Sequence, residues 1–163
     1  MKTFSGFPSG KVPIVGIPRS VFTDLMPLID DLAELKLTLH VLWRLSEQRG
    51  EIRYLRFDDL ADDEVLLTSL RSTCRHADPD QVLRTTLVRA VGRGTLLRAK
   101  ARRAGETQIC YFANTAKGRA AVEAIGRGTW PQDIETDARP NVFTLYEQNI
   151  GVLTPLIADE LRE

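Results

Sequence analysis

Between Asp30 and Gly50 the chain carries more apolar side chains than one narrow helix face can absorb. Leu32, Leu35, Leu39, Leu42 and Trp43 recur at helical spacing, and Leu37, Val41 and Leu45 widen the stripe. Such width predicts a helix buried on more than one side, around which the remaining elements must pack. Asp30-Asp31 supplies its N-terminal cap, and Gly50 marks its end.

The neighbouring segments read as short elements suited to cover that helix. Residues 1–19 are punctuated by Gly and Pro, with Val12, Ile14, Val15 and Ile17 apolar, which fits an irregular arm or an edge strand. A first helix is expected over about 20–29, with a break near Pro27. Alternation over 52–57 reads as a short strand. Asp58 or Asp59 can cap a short helix, and Asp62-Asp63-Glu64 acidify the start of another over about 65–70. A polar connector, 71–77, precedes Asp78-Pro79-Asp80, a strong helix start. That helix runs through Val82, Leu83, Leu87, Val88 and Val91 to Gly92 or Gly94. Strands over 95–102 and 107–113 follow, joined by the hairpin turn Arg103-Ala104-Gly105-Glu106. Thr115 can cap a further helix over 116–125, closed by Gly126.

Helix, short strand, helix, helix, strand, turn, strand is the order of a winged helix-turn-helix. The expected fold is therefore mainly α with a small β-sheet, a winged helix over 20–127 with an N-terminal helical or strand extension. The helix at 78–93 takes the recognition position, and Arg103 to Glu106 the tip of the wing. The 163-residue chain has room for one such domain and an appendage.

Charge supports a binding role for this middle region. The formal net charge is zero, yet residues 20–70 hold eleven acids against five bases, and residues 71–127 twelve bases against four acids. Residues 128–163 hold seven acids and two bases. The middle segment thus has a strongly positive field of its own. Candidate nucleic-acid contacts are Arg84, Arg89 and Arg93 on the helix, Arg98, Lys100, Arg102 and Arg103 on the wing, and Lys117 on the next helix. Arg119 and Arg127 could extend the field. Lys and Arg suit the task because they neutralise phosphates and release counterions. Few aromatics interleave with these charges, which argues against a base-stacking platform for single strands.

No catalytic or cofactor-binding constellation emerges. There is no phosphate-binding glycine loop, and Gly92-Arg93-Gly94 and Gly126-Arg127-Gly128 read as helix ends. His40 lies within the apolar helix and reads as structural. Cys74 and His76, even with Cys110, are too few for a zinc site. The cluster Asp58, Asp59, Asp62, Asp63 and Glu64 is explained by helix starts. No apolar run reaches the ~20 residues a membrane span requires. Residues 1–18 lack a signal-peptide pattern, and two cysteines make no disulfide framework. A cytoplasmic, non-enzymatic protein without metal or cofactor is expected.

The end of the chain reads as the opening of a second module. Residues 128–140 have a linker composition, acidic and bounded by Pro131 and Pro140. Phe143, Leu145, Tyr146 and Ile150 then show helical spacing, Gly151 can close that helix, and Thr154-Pro155 can start another. The expectation for 141–163 is an incomplete helical domain.

Three stretches carry a resemblance to a known family. Asp30-Asp31-Leu32-Ala33-Glu34-Leu35-Lys36 with Trp43, then Arg93-Gly94-Thr95-Leu96-Leu97, resemble the N-terminal domain of the DnaD family of bacterial and phage replication proteins. The most specific stretch, Phe143-Thr144-Leu145-Tyr146-Glu147-Gln148-Asn149-Ile150-Gly151-Val152-Leu153-Thr154-Pro155-Leu156-Ile157, is similar to the start of that family's C-terminal domain. The resemblance implies a primosome component acting in replication initiation or restart, before the replicative helicase is loaded. It implies a winged-helix domain that self-associates and contacts other initiation proteins, with much of the DNA binding in the C-terminal domain. That domain's Tyr/Ile/Trp motif lies near its far end, and Tyr146 and Ile150, without a matching Trp, are not assigned to it. For this chain the implied DNA binding is auxiliary, weak and non-specific.

Val12, Ile14, Val15, Ile17, Val21 and Phe22 precede the winged-helix core and are the natural oligomerisation residues, pairing isologously in a homodimer or building a higher oligomer. Two alternatives stand beside this. A transcriptional regulator would read duplex DNA with Arg84 and Arg89. A pure protein-interaction module would bind no DNA.

Overall fold

Asp31 starts the central helix, and its carboxylate accepts a hydrogen bond from the Glu34 backbone N–H at 2.8 Å. A computed structural model describes residues 1–130 of the chain; the linker expected over 128–140 lies outside the described residues from 131 on, as does the second module expected over 141–163. The first helix, α1, spans Leu32–Glu47. Its buried face is not the stripe that the leucine spacing marks first. Ala33, Leu37, Val41 and Leu45 are buried together with Glu34 and Thr38, whereas Leu32 is 56% exposed and Leu35, Leu39, Leu42 and Trp43 are half-buried. The two stripes are adjacent; the inward one buries Leu37, Val41 and Leu45, and its Glu34 is tolerated there because the carboxylate meets an arginine.

Before α1, Val21–Leu25 and Met26–Leu28 form two short helical turns, with Pro27 in the second. The strand expected over 52–57 shrinks to β1, Leu55–Arg56. The Gln48 side chain clasps the Tyr54 backbone from both sides, at 2.7 and 3.0 Å, which holds that residue outside the sheet. Phe57 already belongs to α2, Phe57–Ala61. Its N-cap is Arg56, two or three residues ahead of the expected cap at Asp58 or Asp59. Asp59, inside the first turn, reaches back to accept from the Arg56 backbone N–H at 2.9 Å and pairs with its guanidinium at 2.6 Å. Asp63 caps α3, Glu64–Arg71, accepting from the Leu66 N–H at 3.1 Å. Lys36 of α1 donates to the Ser69 carbonyl at 3.2 Å, a cation at the C-terminal end of α3.

Helix α4, Pro79–Arg93, opens on its proline and closes at Gly94, whose φ of 87° is the left-handed conformation glycine accepts most readily. Strands β2, Leu96–Arg103, and β3, Glu106–Ala113, make an antiparallel hairpin. Its loop is only Ala104 and Gly105, both at positive φ (52° and 83°), as a type I′ turn requires. The sheet order is β1-β3-β2, all antiparallel. Helix α5, Ala116–Gly126, is capped by Thr115. The described residues are thus mainly helical with one small three-stranded sheet.

The core joins Leu37 and Val41 of α1, Leu60 of α2, Leu66 and Leu70 of α3, Leu83, Leu87 and Ala90 of α4, and Leu55, Leu96 and Tyr111 of the sheet. Burying side chains of this size contributes roughly 1.5–3 kcal/mol each. Alternation along the strands gives the sheet a second buried set, Ala99, Ala101, Cys110 and Phe112. Helix α5 packs against β2 and β3, and its buried positions are small: Gly118, Ala121 and Ala124.

Gly118 shows how tight that packing is. A Cβ there would lie 2.1 Å from the Ala113 carbonyl oxygen, closer than any real contact, and a backbone oxygen cannot swing aside as a side chain can. Gly118→Ala is expected to destabilise the fold by about 1–3 kcal/mol, the usual range for overpacking, read as a lower midpoint in urea unfolding.

Candidate nucleic-acid interface

Helix α4 buries Leu83, Thr86, Leu87 and Ala90 and leaves Gln81, Arg84, Thr85, Val88 and Arg89 exposed. Val88, expected from its spacing to be an inward residue, is 75% exposed. On β2 the strand period sets Arg98, Lys100 and Arg102 on one face, opposite Tyr111, Ile109 and Thr107 of β3. This is the face that carries Leu96 and Tyr111 into the core, continued outward past the core's edge.

Where that face meets α4 there is a groove of about 400 Å³. Phe57, Leu87, Val88, Val91, Ile109 and Tyr111 make its apolar lining, and Arg84 and Arg98 add two cations. Arg84 lies 4.3 Å from the centroid of the Phe57 ring, a cation–π contact that places its charge beside the groove. Arg98, Lys100 and Arg102 have no hydrogen-bond or ion-pair partner among the described residues, so their charge is open to a ligand.

The structure divides the candidate contacts differently from the sequence. Arg84, Arg98, Lys100 and Arg102 gather along the groove and the adjoining strand face. Arg89 stands on α4, 3.8 Å from Asp30, with both side chains largely exposed. Arg103 falls on the alternate strand face and donates to the Tyr54 hydroxyl at 3.4 Å. Lys117 is exposed in the first turn of α5, which packs on the sheet away from α4. Arg93 leaves the set. Its guanidinium forks onto both carboxylate oxygens of the fully buried Glu34, with Nη2–Oε2 at 3.1 Å, and reaches Asp30 at 3.3 Å. The bonds from Glu34 drive the Arg93 pKa still further up. Its role is structural, because withdrawing it would strand a buried carboxylate.

No family model, curated protein or solved structure matches the chain. The site is therefore described from its own geometry. Among the described residues no three His, Cys, Asp or Glu side chains converge as a metal site, and no helix is long and apolar enough to cross a membrane. Burial raises the pKa of the Cys110 thiol.

The expected oligomerisation residues separate as well. Ile14 is 89% and Phe22 52% exposed; Val12 and Val15 are less so, and Ile17 is half-buried. Val21 is buried within the chain and is withdrawn as a contact. Leu28 and Leu32, which the sequence reading did not assign to this surface, are exposed and extend the same run along the chain.

Sequence reasoning missed the apolar lining of the groove. Phe57 read as the end of a strand, and Ile109 gained meaning only through the register that sets it opposite Lys100. The tandem of cations at alternate positions of β2 was the one visible signal.

His40 proves to be a buried partner of Asp63, with Nε2 and Oδ2 2.8 Å apart, while Arg44 lies 3.4 Å from the same oxygen. Burial pulls the Asp63 pKa upward, but the bonds from His40 and the Leu66 amide and the charges of His40 and Arg44 together hold it below 3.8. A depressed folded-state pKa contributes stability that is complete above the unfolded value and lost as pH falls through the folded one. Asp63→Asn is expected to reduce the loss of stability below about pH 4 relative to wild type, measured by urea unfolding across an acid pH series.

The Arg93–Glu34 pair gives a sharper expectation. Arg93→Leu should lower the thermal midpoint by roughly 10 °C, because a carboxylate is left buried without its cation. Adding Glu34→Leu should recover much of that loss, as a calorimetric double-mutant cycle would show.

Proposed function

We propose that the chain is a non-enzymatic DNA replication initiation or restart protein built on a winged helix. In this reading the domain self-associates, contacts other initiation proteins and gives auxiliary DNA binding before the replicative helicase is loaded. One observation carries the DNA-facing part: Arg98, Lys100 and Arg102 of β2, without a partner among the described residues, stand beside the exposed stripe of α4, in the element order α1, β1, α2, α3, α4, β2, β3 with β3 central in the sheet. A winged helix uses these two surfaces, helix and hairpin, on duplex DNA. The replication assignment rests on the resemblance of residues 30–36, 93–97 and 143–157 to the DnaD family.

The distribution of cations favours weak binding without sequence preference. Sequence is read by side chains that meet base edges, commonly a bidentate Arg on guanine. On α4, Arg93 is committed to Glu34 and Arg84 rests on Phe57. The open charges lie on the hairpin, where contacts to phosphate fix position and carry no sequence information. Self-association is supported by the exposed apolar run Ile14, Phe22, Leu28 and Leu32.

The test combines fluorescence anisotropy on duplexes of unrelated sequence with analytical ultracentrifugation. Affinity should be weak, indifferent to sequence and steeply dependent on salt. Arg98→Glu with Lys100→Glu should weaken binding about tenfold or more and flatten the salt slope by about two. Ile14→Asp with Phe22→Asp should shift the sedimenting species toward monomer. A strict monomer at high concentration with no duplex binding would overturn the proposal. Tight binding to one sequence, lost on Arg84→Ala or Arg89→Ala, would make the protein a transcriptional regulator instead.

A further inference from the structure

We infer that the groove between α4 and the hairpin is a docking site for an acidic amphipathic peptide, one that inserts apolar side chains and sets carboxylates on Arg84 and Arg98. The inference rests on the DNA reading only for its corollary, that peptide and duplex exclude one another.

The lining is wrong for nucleic acid and right for a peptide. Its apolar residues come from three elements: Phe57 from α2, Leu87, Val88 and Val91 from α4, and Ile109 and Tyr111 from β3. Duplex DNA offers such a surface little beyond thymine methyl groups. A leucine or phenylalanine would bury there, and each such burial stabilises by roughly 1.5–3 kcal/mol before the costs of association. A volume near 400 Å³ suits one or two such side chains.

Charge selects the kind of peptide. Both charged groups that line the groove are cations, and none of its lining residues is acidic. Arg84 is held over Phe57, so its guanidinium is in place before a ligand arrives. Lys100 and Arg102 continue the positive strand face beyond Arg98. Carboxylates flanking an apolar side chain meet this arrangement, and lysines there would be repelled. Because Arg98 also serves the proposed DNA surface, one occupant displaces the other.

The experiment titrates the full chain into a short fluorescein-labelled peptide carrying leucine and phenylalanine among aspartates. Two controls are a peptide with lysines in place of the aspartates and a polyglutamate of equal length. The acidic amphipathic peptide should bind, and both controls should bind about tenfold more weakly or not at all. Val88→Ser, at an exposed position, should weaken the peptide about tenfold and affect the duplex far less. Arg98→Glu should weaken both. Unlabelled duplex should displace the peptide. Equal binding of polyglutamate, or indifference to Val88→Ser, would overturn the inference, since charge alone would then account for binding. Simultaneous binding of peptide and duplex would overturn the shared site. Peptide binding by a chain that binds no duplex would support the groove and defeat the DNA reading, so the two failures are distinguishable.

Discussion

The contact between Glu34 and Arg93 fixes the relation of the two longest helices. Glu34 sits in the first turn of α1, where the helix dipole favours an anion, and Arg93 is the last residue of α4, where it favours a cation. Each charge is therefore at home on its own helix, and burial then makes each depend on the other. The carboxylate is fully buried, and the guanidinium reaches it through two nitrogens. This bond pins the end of α4 to the start of α1. Gly94 follows at once in the left-handed conformation and turns the chain into β2. The position of the hairpin, and of the groove it forms with α4, descends from that junction. A buried ion pair is a doubtful source of net stability but a strong constraint on arrangement, since few other packings would satisfy both charges.

The same pairing decides where positive charge remains. Acids concentrated in residues 20–70 draw down the bases that follow them: Asp30 and Glu34 take Arg93, and Asp30 stands near Arg89. Within the acidic region, Asp59 holds Arg56 and Asp63 holds His40 and Arg44. Among the bases without an ion pair in the described residues, Arg98, Lys100 and Arg102 share one face of β2, so part of the segregation visible along the sequence becomes a directed field on that face.

Several boundaries of elements were legible from one residue's chemistry, although the start of α2 was not. Asp31, Asp63 and Thr115 cap their helices as their side chains dictate, and Gly94 and the Ala104-Gly105 turn follow from backbone conformation. What distant partners decide was not legible. The leucine spacing of α1 favoured the stripe through Leu35 and Leu39, because Glu34 and Thr38 interrupt the other. A partner 59 residues away makes the burial of Glu34 tolerable. β1 was overestimated because nothing local announces that Gln48 clasps Tyr54. For the site, the cations of β2 were legible from alternation, whereas Arg93 looked like one more basic residue of α4. The groove could not be seen at all, because it is a product of register and helix placement.

The mixed character of this face bears on how its two proposed occupants would share it. Alternate residues on a strand advance about 6.6–6.8 Å, while the phosphates of one DNA strand advance about 3.4 Å along the helix axis. Arg98, Lys100 and Arg102 thus keep pace with about every second phosphate of a strand lying along β2, whatever its bases. That grip is wholly electrostatic and weakens steeply with salt. A peptide seated in the groove draws on the same Arg98 but also buries apolar side chains against Val88 and Ile109, and that part of its binding is not screened. Rising ionic strength therefore disfavours the duplex more than the peptide. The balance between DNA contact and protein contact is set by how much of each ligand's hold on α4 and β2 is charge.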